Sequence, residues 1–327
     1  MRSFALVAAA LLALVAPTAS LAWGYAGHAM VCAIAESRLT EEGAALVAEA
    51  LDLHSSVDDR MATLVLDLQS RITPPPERFW SDRDDRPMTF RQACLWPDES
   101  RRDTFKSTYE MHFVNVPEGQ PFDLARDCAR LDCALVGIQR FAQYLAQDPD
   151  GSRQREQKTV GLRFLGHFVG DVHQPLHVGD IDDLGGNRID VTWFGKSVNL
   201  HKVWDSEILE TSGFTTMAEG VAAIEALAAT EDGAEAIASW ETTEIVAWAA
   251  ESRELANSLA YVQPDGTKVE DGTELASSEN PAYFEANREI VREQVLKAGV
   301  RLGYLINLAA AGKLPARLIS LQSVTDP

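Results

Sequence analysis

The stretch FLGHFVGDVHQPLH, residues 164–177, places three histidines and an aspartate within fourteen positions of a 327-residue chain that has only seven histidines. His167 and Asp171 are four apart, so on a helix they share one face and both reach a single ion. Pro175 must end or kink that helix, which leaves His177 just past its end and able to turn back toward the same place. The motif NLHKVWD repeats the four-residue separation with His201 and Asp205. Upstream, WPD supplies Asp98, MHF supplies His112, and WGYAGH puts His28 five residues after Trp23. His173, six positions from His167, falls on another face and reads as a core or supporting residue. His54 reads as a surface residue.

This set of imidazoles and carboxylates suits a catalytic zinc site built from nitrogen and oxygen better than a structural four-cysteine site. One zinc takes three or four ligands, and the set offers eight side chains, so it implies more than one metal. A lone HxxxD pair on a helix also arises as a hydrogen-bonded structural pair or a surface ion pair. That alternative does not account for two such pairs together with His112 and His28.

Elements must carry these residues to one place. Apolar residues recur at three- and four-residue spacing over 27–52, 134–147, 158–173, 217–263 with at least one break, and 282–311, which predicts helices. Thr40, Ser81 and Ser277 are turn or cap candidates. Prolines at 74–76 and 87 predict a long irregular excursion over 54–97. IDVTWF followed by SVNL alternates with period two around Gly195 and Lys196, which predicts a hairpin. The fold class is all-α with one small β-hairpin, and 23–327 has the length of one large domain or two small ones.

Residues 1–22 read as a secretory signal peptide: Arg2, an apolar run too short to span a membrane, and the small-residue end Ala-Ser-Leu-Ala, with cleavage after Ala22. An exported protein, secreted or periplasmic, meets an oxidising compartment, and four cysteines allow two disulfides. Cys128 and Cys133 enclose a short loop and make the easier pair. Elimination leaves Cys32 with Cys94, although two free buried thiols stay open as the alternative. The formal net charge of −20 excludes a duplex binder that works through a basic face. It does not exclude a polyanionic substrate held by bound cations. No further apolar stretch predicts a membrane span, and nothing implies a stable protein partner or more than a monomer.

In order and spacing, WGYAGH, WPD, MHFVNVP, RDC-x4-C, FLGHFVGDVHQPLH, GGN, NLHKVWD and AGVRLGYLINL resemble the trinuclear-zinc, single-strand-specific nucleases with 3'-nucleotidase activity, distant relatives of zinc-dependent phospholipases C. The resemblance implies a single helical domain over 23–327 and three Zn²⁺ ions. One would be held by Asp98, His112, His167 and Asp171. A neighbour would be held by His28, Asp171 and the amine and carbonyl of Trp23, and the third by His177, His201 and Asp205. Asp171 would bridge the first two. An α-amine ligates only when terminal and deprotonated, so signal removal would complete the site. The resemblance also supports both disulfides.

It further implies hydrolysis of single-stranded RNA and DNA to 5'-phosphate products and removal of 3'-phosphates from nucleotides, by water acidified at the metals. Phe113 and Leu184 would form apolar walls for an unstacked base, next to Asn187 of the GGN motif, and Asn115 would read the base edge. Asn115 replaces the aspartate of several relatives, which leaves base preference open. Glu118 approximates an acidic residue that could orient the attacking water, with no lysine beside it in sequence. Two rivals stand: a phospholipase C using the same metals, against which HxxxD at His201 and the Phe113 and GGN features weigh, and a non-catalytic exported zinc-binding protein.

Overall fold

The computed structural model describes residues 23–52, 89–101, 105–148, 152–229 and 231–320. The signal-peptide reading of 1–22, His54, Ser81 and the excursion up to residue 88 lie outside the described residues.

Two helices, α1 (Tyr25–Glu36) and α2 (Glu41–Asp52), replace the single helix predicted over 27–52. The break has a local cause. Ser37 Oγ donates back to the Ile34 carbonyl at 2.8 Å, and Thr40 Oγ1 accepts from the Gly43 amide at 3.1 Å, capping α2. Short helical turns follow at Phe90–Ala93 and Trp96–Ser100, the end of the stretch predicted to be irregular, and Thr89 closes a capping box with Gln92. A 3₁₀ segment, Lys106–His112, precedes α3 (Ala134–Ala146) and α4 (Ser152–Val172). α4 starts six residues before the predicted 158, and every residue from 158 to its end is buried.

The predicted long pattern over 217–263 resolves into α5 (Met217–Glu225), α6 (Glu231–Trp240) and α7 (Ile245–Leu255), the last continuing as a π-turn, Ala256–Ala260. The 29-residue α8 (Ala282–Ala310) then runs back across the molecule against α1, α2, α3 and α4. α3 packs along α4, where Phe141 stacks on Phe164 at 4.5 Å between centroids. The buried helix α4 is therefore the rod on which the site is mounted.

The hairpin is present as β1 (Asp190–Trp193) and β2 (Lys196–Asn199), but its turn is Phe194 and Gly195 rather than Gly195 and Lys196. Both turn residues have positive φ, 46° and 78°, the backbone that matches strand twist in a two-residue hairpin, so Lys196 is released to pair with Trp193. A third strand, β3 (Thr273–Ala276), joins β1 in parallel and was not predicted. Both disulfides form, Cys32 with Cys94 and Cys128 with Cys133. Among the described residues no helix is long and apolar enough to cross a membrane.

Candidate metal centre and nucleic-acid cleft

Asp171, in the last turn of α4, has no exposure, and neither carboxylate oxygen has a hydrogen-bond partner. Its Oδ2 lies 3.2 Å from His112 Nδ1 and 3.4 Å from His167 Nε2, while Oδ1 lies 3.4 Å from His28 Nε2. Asp98 Oδ1 completes the group, 3.5 Å from His167 Nε2 and 3.6 Å from His112 Nδ1. A buried carboxylate without donors is costly unless something else satisfies it. A tetrahedron with ligand distances of about 2.0–2.1 Å has edges of about 3.3–3.4 Å, the spacing these atoms keep. Nitrogen and oxygen donors so placed, with no free cysteine among the described residues, fit a metal ion of the zinc type.

His167, His28 and Asp98 are each held by a neighbouring group. The Cys94 carbonyl accepts from His167 Nδ1 at 2.8 Å, so the Cys32–Cys94 disulfide, which ties α1 to this loop, also sets that ring. Gly166 lets the disulfide approach, since a Cβ there would meet Cys94 Sγ at 2.6 Å. The His28 ring, carried by α1, stacks on His167 at 3.8 Å. Arg101 Nη2 holds Asp98 Oδ1 at 3.2 Å.

A second group lies beside the first. His201 Nε2 is 3.3 Å and His177 Nε2 is 3.7 Å from the Asp205 carboxylate, all three buried. Pro175 starts the 3₁₀ turn Pro175–Val178, which returns His177 toward α4 and brings its Nδ1 to 3.6 Å from Asp171 Oδ1. His177 Nδ1 donates to the His112 carbonyl and His201 Nδ1 to the Gly185 carbonyl, each at 2.6 Å, which directs both Nε2 atoms at the site. Gln174, fully buried, donates to Asp205 Oδ1 at 2.5 Å. The π-turn Val203–Glu207 carries Asp205.

Burial, then the neighbouring imidazole of His167, holds His28 and His112 well below the ordinary histidine range. Burial also lowers His177, although Asp205 opposes it. Burial and then the charge of Asp98 push Asp171 well above the usual carboxylate range. Burial acts on Asp98 and Asp205 in the same upward sense but is outweighed, by Arg101 for Asp98 and by His201 for Asp205, and both end below that range. The surroundings thus favour neutral imidazoles at His28, His112 and His177 and two ionised carboxylates around one reluctant carboxyl, a set that a cation would complete.

The remaining sequence candidates fall in three places. Trp23 is buried, and its indole Nε1 donates to the Gly170 carbonyl at 2.7 Å, next to the His28 ring. Phe113 and Asn115 lie on the segment 113–116, which runs beside the loop after His177: Val114 donates to the His177 carbonyl, and Val116 pairs with Asp180. Leu184, 47% exposed with φ of 57°, stands on that second loop. There Gly185 is required, because a Cβ would meet the Leu176 carbonyl at 2.3 Å. Asn187 Nδ2 closes the loop on the Leu184 carbonyl at 2.9 Å rather than standing free.

The chain from Trp23 to Ala311 matches the family model described as S1/P1 Nuclease. This chain belongs to the S1/P1 nuclease family. It is 30% identical to Endonuclease 4 of Arabidopsis thaliana over 312 residues, covering 90% of this chain and 91% of that one. It is 28% identical to Nuclease S1 of Aspergillus oryzae over 267 residues, covering 74% and 88%. Nuclease P1 of Penicillium citrinum is 29% identical over 229 residues, covering 65% and 81%. Membership makes the protein a nuclease, a hydrolase acting on nucleic acids.

Within this S1/P1 nuclease, the donor atoms gather as His28 with Asp98 and His167, His112 with His167 and Asp171, and His177 with His201 and Asp205. The resemblance instead groups His28 with Asp171 and Trp23; His28 Nε2 is 3.4 Å from Asp171, so its ring serves either grouping. His173 is core: Nδ1 donates to the Val169 carbonyl at 2.7 Å and Nε2 meets Arg301 at 2.8 Å. Glu118, with no lysine beside it in sequence, gains one through the fold, since Lys268, 150 residues later, donates to its carboxylate. Also unanticipated is Arg253, which is buried. Its guanidinium donates to the carbonyls of Pro117 and Gln120 and to Asp180, clamping the two paired segments. Neither residue has a local sequence signal, because each acts across a long loop.

Proposed function

We propose that this S1/P1 nuclease is a zinc-dependent phosphodiesterase. It hydrolyses single-stranded RNA and DNA to 5'-phosphate products and removes 3'-phosphates from nucleotides. The observation that carries this reading is the buried Asp171 carboxylate, both oxygens unpartnered and each facing a different imidazole set. Three zinc ions would be held by Asp98, His112, His167 and Asp171; by His28, Asp171 and the amine and carbonyl of Trp23; and by His177, His201 and Asp205. Bound zinc supplies Lewis acidity, neutralising phosphate charge on an acidic protein and acidifying water.

The chain's own residues do the rest. Cys94, Gln174 and Gly185 aim the ligands. Phe113 and Leu184 offer apolar surface to a base that has left its stack, which disfavours duplexes. Asn115 and Asn187 supply amide groups at the cleft. Glu118, kept ionised by its hydrogen bond to Lys268, orients the attacking water. The working domain starts at Trp23 in an exported, disulfide-bonded monomer, either secreted or periplasmic.

The test is cleavage of matched single-stranded and duplex oligonucleotides, RNA and DNA, before and after chelation and zinc restoration, with end-group analysis. The reading requires zinc-restored cleavage of single strands leaving 5'-phosphates. Undiminished cleavage after complete metal removal, or 3'-phosphate ends, would overturn it.

A further inference from the structure

Four large apolar side chains among the described residues are strongly exposed: Tyr109, Leu131, Ile181 and Leu184. Tyr109, Leu131 and Ile181 lie on stretches tied to the segment that begins at Phe113. Ile181 donates its amide to the Val116 carbonyl, and Leu184 follows on the same loop. Leu131 sits in the disulfide loop whose neighbour Ala134 donates to the Phe113 carbonyl. Concentrated apolar exposure of this kind marks a binding surface more than scattered single residues do.

Tyr109 is the aromatic member, 44% exposed. It precedes His112 by three residues in the 3₁₀ segment Lys106–His112, and three residues per turn put both on one side of that segment. Its ring stands edge-on to Phe113, with centroids 6.0 Å apart. Arg101, itself buried and bonded to Asp98, lies over the Tyr109 ring at 5.4 Å. A cation over one face fixes the ring and leaves solvent to reach it from elsewhere. Of the rings packed nearby, Trp96, Phe164 and Phe168 are buried and cannot meet a ligand.

We infer that Tyr109 is a second base-stacking platform, which takes the nucleobase next to the one received at Phe113 and so favours oligonucleotides over mononucleotides. The inference rests on the nuclease reading. Two rings in edge-to-face contact give successive, separately oriented surfaces, as a single strand with splayed bases requires. The Arg101 charge behind the ring favours the adjoining phosphate.

The experiment compares wild type, Tyr109→Ala and Tyr109→Trp in zinc-containing buffer. The readout is the ratio of kcat/KM for a dinucleoside monophosphate to that for adenosine 3'-monophosphate. Loss of one base–aromatic stack lowers this ratio about 5- to 20-fold in Tyr109→Ala, and the larger ring of Tyr109→Trp keeps or raises it. An unchanged ratio in Tyr109→Ala, whether the two rates hold or fall in step, overturns the platform, as does a lowered ratio in Tyr109→Trp. Failure of the wild type on every substrate would instead overturn the nuclease reading itself, and the platform with it.

Discussion

One oxygen of the Asp171 carboxylate stands 3.4 Å from His28 Nε2, both groups buried and neither atom hydrogen-bonded. Without a cation the proton balance of such a site governs stability. Burial holds His28, His112, His173 and His177 below the ordinary value of 6.5, so below that pH the unfolded chain binds protons that the folded one refuses. Stability of the chelated protein therefore rises with pH up to about 6.5. Above it, His201, shifted upward, keeps a proton that the unfolded chain has lost, while Asp171, shifted upward from the carboxylate range, opposes the rise from the acid side onward, so stability levels off and then declines. Melting temperatures in chelator from about pH 5 to 8 should pass through a maximum near 6.5; a steady rise across the range would contradict this account.

Gln174 donates a hydrogen bond to Asp205 Oδ1, and its carbonyl oxygen accepts from the Leu176 amide. Gln174→Leu should weaken metal binding at the His177, His201 and Asp205 group about 10- to 100-fold, as removal of outer partners does. Competition with a chromophoric chelator reads this directly, and unchanged affinity would show that Asp205 needs no such support.

Arg253 joins two paired loops through Asp180 at 2.6 Å and the Pro117 and Gln120 carbonyls. Arg253→Leu strands a buried carboxylate and should cost about 3–5 kcal/mol in denaturant unfolding. Arg253→Lys should recover part of this, because one ammonium cannot reach all the acceptors. A cost below about 1 kcal/mol would mean that the clamp is dispensable.

If the α-amine of Trp23 is a ligand, protein beginning at Trp23 should bind one more zinc than protein carrying one extra residue before it, and should be the more active. Equal metal content in the two forms would remove the amine from the site.

Helix α4 was legible because His167, Asp171 and the apolar residues between them repeat at helical spacing, and α3 and α8 end within a residue of the predicted limits. The break after α1 was not, because it depends on the Ser37 hydroxyl finding a carbonyl, a choice that apolar periodicity does not encode. β3 escaped for another reason: a strand four residues long takes its identity from its partner β1, some eighty positions earlier. The ligand candidates were readable as types and spacings. Lys268 and Arg253 were not, since a lone lysine or arginine becomes meaningful only when the fold sets it against Glu118 or Asp180.

The most direct test of the metal centre is the metal content and single-strand cleavage rate of Asp171→Asn beside wild type. An amide keeps the shape but removes the charge that two imidazole sets share. The account predicts about three zinc ions in the wild type, loss of at least one in the variant, and a fall in turnover of about 100-fold or more. Equal metal content and comparable turnover in the two proteins would contradict it.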